Sequence, residues 1–90
     1  MNQHALFAAH VAPKTNAWLR QARSEITACQ HPSSANTKRL EWHGVARGLH
    51  LANAINTEAH ELMKRSIDVY TIDHIDRLKT RAAANRVDEE

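Results

Sequence analysis

Among the side chains of this 90-residue chain, histidine can take part in the most kinds of chemistry, and the chain has seven histidines. Neutral imidazole is a common metal ligand, and a helical zinc site usually places two histidines four residues apart. His43, His50 and His60 are instead separated by seven and ten residues, and the other four are scattered. We therefore expect no metal site, and we interpret these histidines as part of a polar helix surface that gains charge in mild acid.

Catalysis would need a nucleophile beside a base, or paired carboxylates in a cleft. Cys29 is the only cysteine, and it falls on the apolar side of a predicted helix, where a thiol acts as a small core residue. Asp73 and Asp76 lie close to Arg77 along another predicted helix, which is typical of surface charge pairing. There is no glycine-rich phosphate loop. The sequence therefore predicts neither an enzyme nor a cofactor.

Basic side chains could form one stripe if the first two predicted helices are antiparallel. The six residues concerned are Lys14, Arg20, Arg23, Lys38, Arg39 and Arg47. Glu25 and Glu41 interrupt the stripe, and the formal net charge is only +2, well short of a strong nucleic-acid binder. The pattern also does not match a helix-turn-helix. Contact with nucleic acid, or with another acidic surface, is therefore the alternative function.

We expect the chain to be a single domain, residues 1–90. The periodicity of its apolar residues divides this domain into helical segments. Pro13 either kinks the first piece or opens the next helix, and Pro32 is a predicted helix stop. Thr71 is expected to cap a new helix, and residues 67–70 either continue the preceding helix or separate it from this one. The expected segments are an arm or short helix over 1–12, helices over 14–30, 36–66 and 71–87, and a frayed tail over 88–90.

The predicted fold is all-α, with a long central helix and two shorter antiparallel helices packed on it. Only two glycines and two prolines are present, too few for the turns of a β-sandwich or barrel. In the first confident helix, residues at helical spacing form one apolar face that comprises Trp18, Leu19, Ala22, Ile26 and Cys29. The arrangement resembles a three-helix bundle, or half of a dimeric bundle.

The apolar face of the long helix is wider than two short helices can cover, so we expect a homodimer or a foreign protein on the remainder. Gly44 and Gly48 lie one turn apart on this face, which favours a close helix crossing. That crossing lies either inside the chain, against Trp18 or Ala22, or at an interface. The predicted partner-binding residues are Gly44, Gly48, Leu51, Ile55 and Leu62.

The lone cysteine favours a reducing compartment, and no apolar run approaches the roughly 20 residues of a membrane span. We expect a cytoplasmic protein that does not contact membranes. Short helical chains without an active site are common among small regulators, including phage and mobile-element proteins such as anti-CRISPR proteins that block larger host assemblies. The function predicted from the sequence is therefore a protein-binding regulator or inhibitor, with nucleic-acid binding as the alternative.

Overall fold

A computed structural model describes the backbone of residues 3–89 and the side chains of residues 15–84. Three helices occur between residues 3 and 89: α1 (Gln3–Thr27), α2 (Pro32–Leu51) and α3 (Thr57–Glu89). No strand occurs between residues 3 and 89. The all-α, three-helix bundle-like class predicted from the sequence is therefore confirmed. Within the described part of the chain, no helix is both long and apolar enough to cross a membrane.

The long helix predicted over 36–66 is wrong, because the chain turns between α2 and α3. Asn53 adopts a left-handed conformation with φ 59°, which asparagine tolerates better than most residues. The amide of Asn53 donates to the carbonyl of His50 at 3.1 Å, and the amide of Ala54 donates to that of Leu49 at 2.8 Å. This pair of bonds is a Schellman motif, which satisfies the last carbonyls of α2.

A second asparagine starts the next helix three residues later. Asn56 Oδ1 accepts a hydrogen bond from the amide of Ala59 at 2.9 Å, which is the usual geometry of a helix N-cap. Glu58 lies in the first turn of α3, where its charge complements the helix dipole. Two asparagines thus end one helix and begin another where the sequence offers neither glycine nor proline.

The other predicted helix boundaries shift for similarly local reasons. Pro32 opens α2 at its first position, where the missing amide hydrogen costs nothing, so it is a start signal as well as a stop. Helix α1 passes through Pro13 instead of beginning after it, and includes residues 3–12 of the segment predicted as a separate arm; residues 1 and 2 lie outside the described residues. The tail predicted to fray from residue 88 is helical to Glu89, and residue 90 lies outside the described residues.

Thr71 lies inside α3 and does not cap a helix. Its side chain is buried, and its hydroxyl donates to the carbonyl of Ile67 at 2.8 Å, one turn earlier in the same helix. This bond satisfies the hydroxyl without breaking the helix. Residues 67–70 therefore belong to α3, which makes the last helix, and not the middle one, the longest of the three.

The core is formed by side chains from all three helices and by Ile55 of the connection between α2 and α3. Its buried members are Leu19, Ala22, Ile26, Ala35, Trp42, Ala46, Ile55, Ala59, Met63 and Ile67, with Trp18 and Cys29 packed against them. The apolar face predicted for the first helix is therefore the one that packs inward. Several core residues are alanines, which allow the helices to approach closely.

Helix α2 buries a different face from the one that the sequence predicted as apolar. Ala35, Trp42 and Ala46 point into the core, while Leu40 and Leu51 are exposed. The large indole of Trp42 contributes more buried area than either leucine, and small alanines beside it permit close packing. Leu40, Leu51 and both glycines of α2 are consequently left on its outer side.

Candidate functional site

The outer side of α2 carries an apolar surface with no covering element in the described structure. We call it the α2 outer face; its residues are Leu40, Gly44, Arg47, Gly48 and Leu51, all exposed. Leu40 is 61% exposed and Leu51 is 71% exposed, which is a high value for leucine. Leu40, Gly44, Gly48 and Leu51 follow one another at intervals of three or four residues, so they form one continuous strip along the helix, and Arg47 lies beside them.

Both glycines of this face open onto free space. A Cβ atom built on Gly44 or on Gly48 would meet no heavy atom within 4 Å apart from the neighbouring backbone of α2 itself. The sequence-based alternative of a close crossing inside the chain, against Trp18 or Ala22, is therefore wrong. Each glycine costs about 1 kcal/mol of helix stability relative to alanine, and nothing within the described chain compensates for it. A crossing at an interface is the alternative that this geometry leaves open.

The five predicted partner-binding residues do not lie on one surface. Gly44, Gly48 and Leu51 share the α2 outer face, whereas Ile55 is only 7% exposed and belongs to the core of this chain. Leu62 is 39% exposed and lies on α3, beyond the turn. The turn between α2 and α3 redirects the chain after Leu51, so a face that would be continuous on one long helix is divided between two.

The six basic residues predicted to form a stripe are also separated. Glu25 lies where α1 meets α2, and its carboxylate approaches the ammonium of Lys38 at 3.5 Å. Lys38 also pairs with Glu41 at 3.1 Å, and Arg39 approaches Asp68 of α3 at 3.5 Å. These ion pairs reduce the positive charge that the two cations could offer to a phosphate backbone.

The remaining basic residues lie elsewhere. Arg47 is exposed on the α2 outer face, and the side chain of Lys14 lies outside the described residues. Arg20 and Arg23 line an open cleft of about 310 Å³ between α1 and α3, together with Asn16, Leu19 and Tyr70. The guanidinium of Arg23 lies 5.6 Å from the centre of the Tyr70 ring, within the range of a cation–π contact.

Two histidines that are distant in the sequence stack against each other across the turn. The rings of His50 and His60 lie 4.6 Å apart at an angle of 22°, and His50 Nε2 is 3.2 Å from the hydroxyl of Thr57. Burial lowers the pKa of His60 below its usual 6.5, and the neighbouring His50 and Lys64 lower it further. A search for helical spacing along one helix could not find this pair, because it spans two helices.

Two other histidines have structural partners. His43 Nε2 lies 2.8 Å from a carboxylate oxygen of Asp68, which ties α2 to α3. His74 is buried, and its Nε2 is 2.6 Å from the carbonyl oxygen of Cys29, two residues after the end of α1. That carbonyl needs a donor because it follows the last turn of a helix. Within the described part of the chain, no three His, Cys, Asp or Glu side chains form a group that could hold a metal ion.

Comparison with known proteins does not add a relative to this description. No protein-family model, no curated protein and no solved structure matches the chain.

Proposed function

We propose that this protein is a small regulator that binds another protein, and that the α2 outer face is its docking surface. The observation that carries this proposal is the pairing of two exposed leucines with two outward-facing glycines on one strip of α2. Exposed apolar strips of this kind are typical of protein-binding surfaces. The small size and helical type of the chain favour a regulator or inhibitor of a larger assembly, the role of many phage-borne helical proteins.

The shape of the strip suits a partner helix. Gly44 and Gly48 leave a shallow depression without side chains, and Leu40 and Leu51 stand at its two ends. A partner backbone could approach α2 closely at the glycines, as in other small-residue crossings, while the leucines provide the apolar area. Arg47 lies between the glycines on the same side, so an acidic residue on the partner would add a favourable contact.

The test compares capture of protein partners from a lysate of the source organism by the purified chain and by two variants. Gly48→Leu fills the depression, and Ser24→Leu adds the same side chain at an exposed position of α1. We expect a partner that is retained by the wild type and by Ser24→Leu, survives nuclease treatment and is lost with Gly48→Leu. Circular dichroism must show that both variants remain folded. A partner captured equally by all three proteins would contradict the proposed surface.

Nucleic-acid contact is the second candidate function, and one specific site favours it. Arg20 and Arg23 share an open cleft with Tyr70, a combination that suits a phosphate beside a stacked base. Titration of labelled single-stranded DNA and RNA, followed by fluorescence anisotropy at two salt concentrations, tests this candidate. Salt-sensitive binding that is abolished by Arg20→Ala with Arg23→Ala would support it, and an unchanged anisotropy at high protein concentration would exclude it.

A further inference from the structure

The outer side of α3 carries a second apolar strip, separate from the α2 outer face. Val69 is 54% exposed, Ile72 is 59% exposed and Leu62 is 39% exposed. Together with three exposed charged residues they make up what we call the α3 stripe: Leu62, Arg65, Val69, Ile72, Asp76 and Lys79. Successive members are three or four residues apart, which is the spacing of a coiled-coil seam. The stripe is about 26 Å long at 1.5 Å per residue.

The order of side chains along the α3 stripe is self-complementary about a point between residues 70 and 71. Val69 and Ile72 are equally distant from that point, on opposite sides of it. Arg65 and Asp76 are also equally distant from it, and they carry opposite charges. A helix that packs antiparallel to an identical copy of itself about a two-fold axis at this point therefore brings unlike charges together at both ends of an apolar centre.

We propose that the α3 stripe binds the α3 stripe of a second copy of this chain, antiparallel, with the two-fold axis between residues 70 and 71. In this register Val69 lies opposite Ile72 of the second copy, and Arg65 lies opposite its Asp76. Leu62 lies opposite Lys79 of the second copy, whose aliphatic stem covers the leucine. The symmetry repeats each contact, so the interface contains two Arg65–Asp76 pairs.

The charges identify the second copy as the occupant. Arg65 and Asp76 form no ion pair with any residue of the described chain, so both remain available to another molecule. An antiparallel two-fold contact places residues at equal distances from its axis opposite each other, so a cation and an anion at equal distances from one midpoint suit a second copy of the chain. Charged residues at seam positions also fix register and orientation, because other alignments leave them unpaired.

A contact between two helices of this length is small, at the low end of interfaces that form stable complexes. We therefore expect a dimer that dissociates on dilution, with an affinity that depends strongly on the two charge pairs. Reversing one charge places like charges opposite each other twice in the symmetric dimer. Such a change is expected to weaken association by about tenfold or more, because like charges that face each other in an interface repel.

Sedimentation equilibrium of the full chain tests the proposal with three variants. Arg65→Asp alone and Asp76→Arg alone are each expected to weaken self-association by at least about tenfold. An equimolar mixture of the two is expected to restore a dimer, because one copy then carries acidic side chains at both positions and the other copy carries basic side chains at both. Arg77→Asp is the matched control, since it reverses an exposed arginine of α3 outside the stripe, and it should associate like the wild type.

Three results would overturn the proposal. The wild-type chain could remain monomeric up to millimolar concentration. Arg65→Asp and Asp76→Arg could dimerise as well as Arg77→Asp, which would place the contact on another surface. The mixture could fail to associate although both variants are folded by circular dichroism, which would exclude the antiparallel register.

This inference does not rest on the proposed function, because the two surfaces lie on different helices. Gly48→Leu changes only the α2 outer face and should leave the sedimentation of the dimer unchanged. The charge reversals on α3 should in turn leave the α2 outer face intact on each chain. If both of these expectations are met, the dimer presents two copies of the docking surface, and a partner with repeated sites would bind it with increased avidity.

Discussion

The indole nitrogen of Trp42 donates a hydrogen bond to Glu25 at 3.2 Å, and this bond joins α1 to α2 beside the core. The same side-chain carboxylate accepts a hydrogen bond from the side-chain amide of Gln21 at 2.8 Å and faces the ammonium of Lys38. The Gln21 bond is the largest influence that lowers the pKa of Glu25; burial opposes it, while Trp42 and Lys38 lower the pKa further. Glu25 thus connects α1 to two residues of α2, one of which is a core residue.

Substitution of Glu25 by glutamine should therefore destabilise the fold. The amide keeps the shape but loses the charge that strengthens three contacts, so we expect the free energy of unfolding to fall by about 1 kcal/mol in chemical denaturation at neutral pH. Glu61→Gln is the control, because the ion pair that Glu61 forms within the described residues is an exposed one with Lys64 on the same helix. Equal losses in the two variants would contradict the role of Glu25.

The effect of Glu25→Gln should also depend on pH. Because the pKa of Glu25 is lower in the folded chain than its usual 4.5, its carboxylate stabilises the fold above that value and loses this contribution as the pH falls through the folded pKa. The stability difference between wild type and Glu25→Gln should therefore be largest at neutral pH and shrink towards pH 3. A difference that stayed constant over this range would show that the charge is not involved.

The stacked pair of His50 and His60 predicts a pH dependence nearer to neutrality. Burial and the adjacent histidine lower the pKa of His60 in the folded chain, so the unfolded chain binds its proton more readily. The folded chain therefore keeps its full stability above about pH 6.5 and loses stability as the pH falls from there through the pKa of His60 in the folded chain. Thermal unfolding between pH 7.5 and 5.5 should show a smaller loss of stability for His60→Gln than for the wild type. Equal slopes would exclude His60 as the cause.

The turn between α2 and α3 can be tested at Asn53. Its φ of 59° is a conformation that glycine adopts freely and that β-branched residues avoid. We expect Asn53→Gly to leave the free energy of unfolding nearly unchanged and Asn53→Val to lower it by about 1–2 kcal/mol. Both variants lose the same side chain, so their difference reports mainly on the backbone conformation. Similar stability of the two would indicate that α2 does not end in this motif.

Periodicity could predict the helical class and the buried side of α1, because Leu19, Ala22 and Ile26 repeat with the period of a helix. It could not predict the turn after Leu51. Glycine and proline are the usual signals of a helix end, and here Asn53 and Asn56 act instead, in a stretch whose apolar residues continue the helical pattern. That single error joined two helices into one and placed Ile55 on a surface, although it is a core residue.

The candidate site was only partly predictable for a related reason. Gly44, Gly48 and Leu51 do share one face of one helix, but the apolar character of that face indicated burial. Which face of α2 packs inward depends on Trp42 and the alanines fitting against the other helices, and a single helix does not encode that fit. The contact of His50 with His60 is likewise created by the turn.

The last prediction concerns the stability of the chain when Gly48 is filled. A leucine at this position gains up to about 1 kcal/mol of helix propensity, and its Cβ would meet no atom within 4 Å apart from the neighbouring backbone of α2 itself. We therefore expect Gly48→Leu to raise the free energy of unfolding of the isolated chain, measured by chemical denaturation at low micromolar concentration. Gly44→Leu should act in the same direction, because its surroundings are equally open.

Had α2 crossed another helix of the chain at Gly48, the added side chain would separate the two backbones at a typical cost of about 1–3 kcal/mol. The two possibilities differ in sign, so a destabilised Gly48→Leu variant would contradict the outward orientation of this face, and with it the docking surface. A stabilised variant that no longer binds its partner would show that the glycine is kept for binding at the expense of folding.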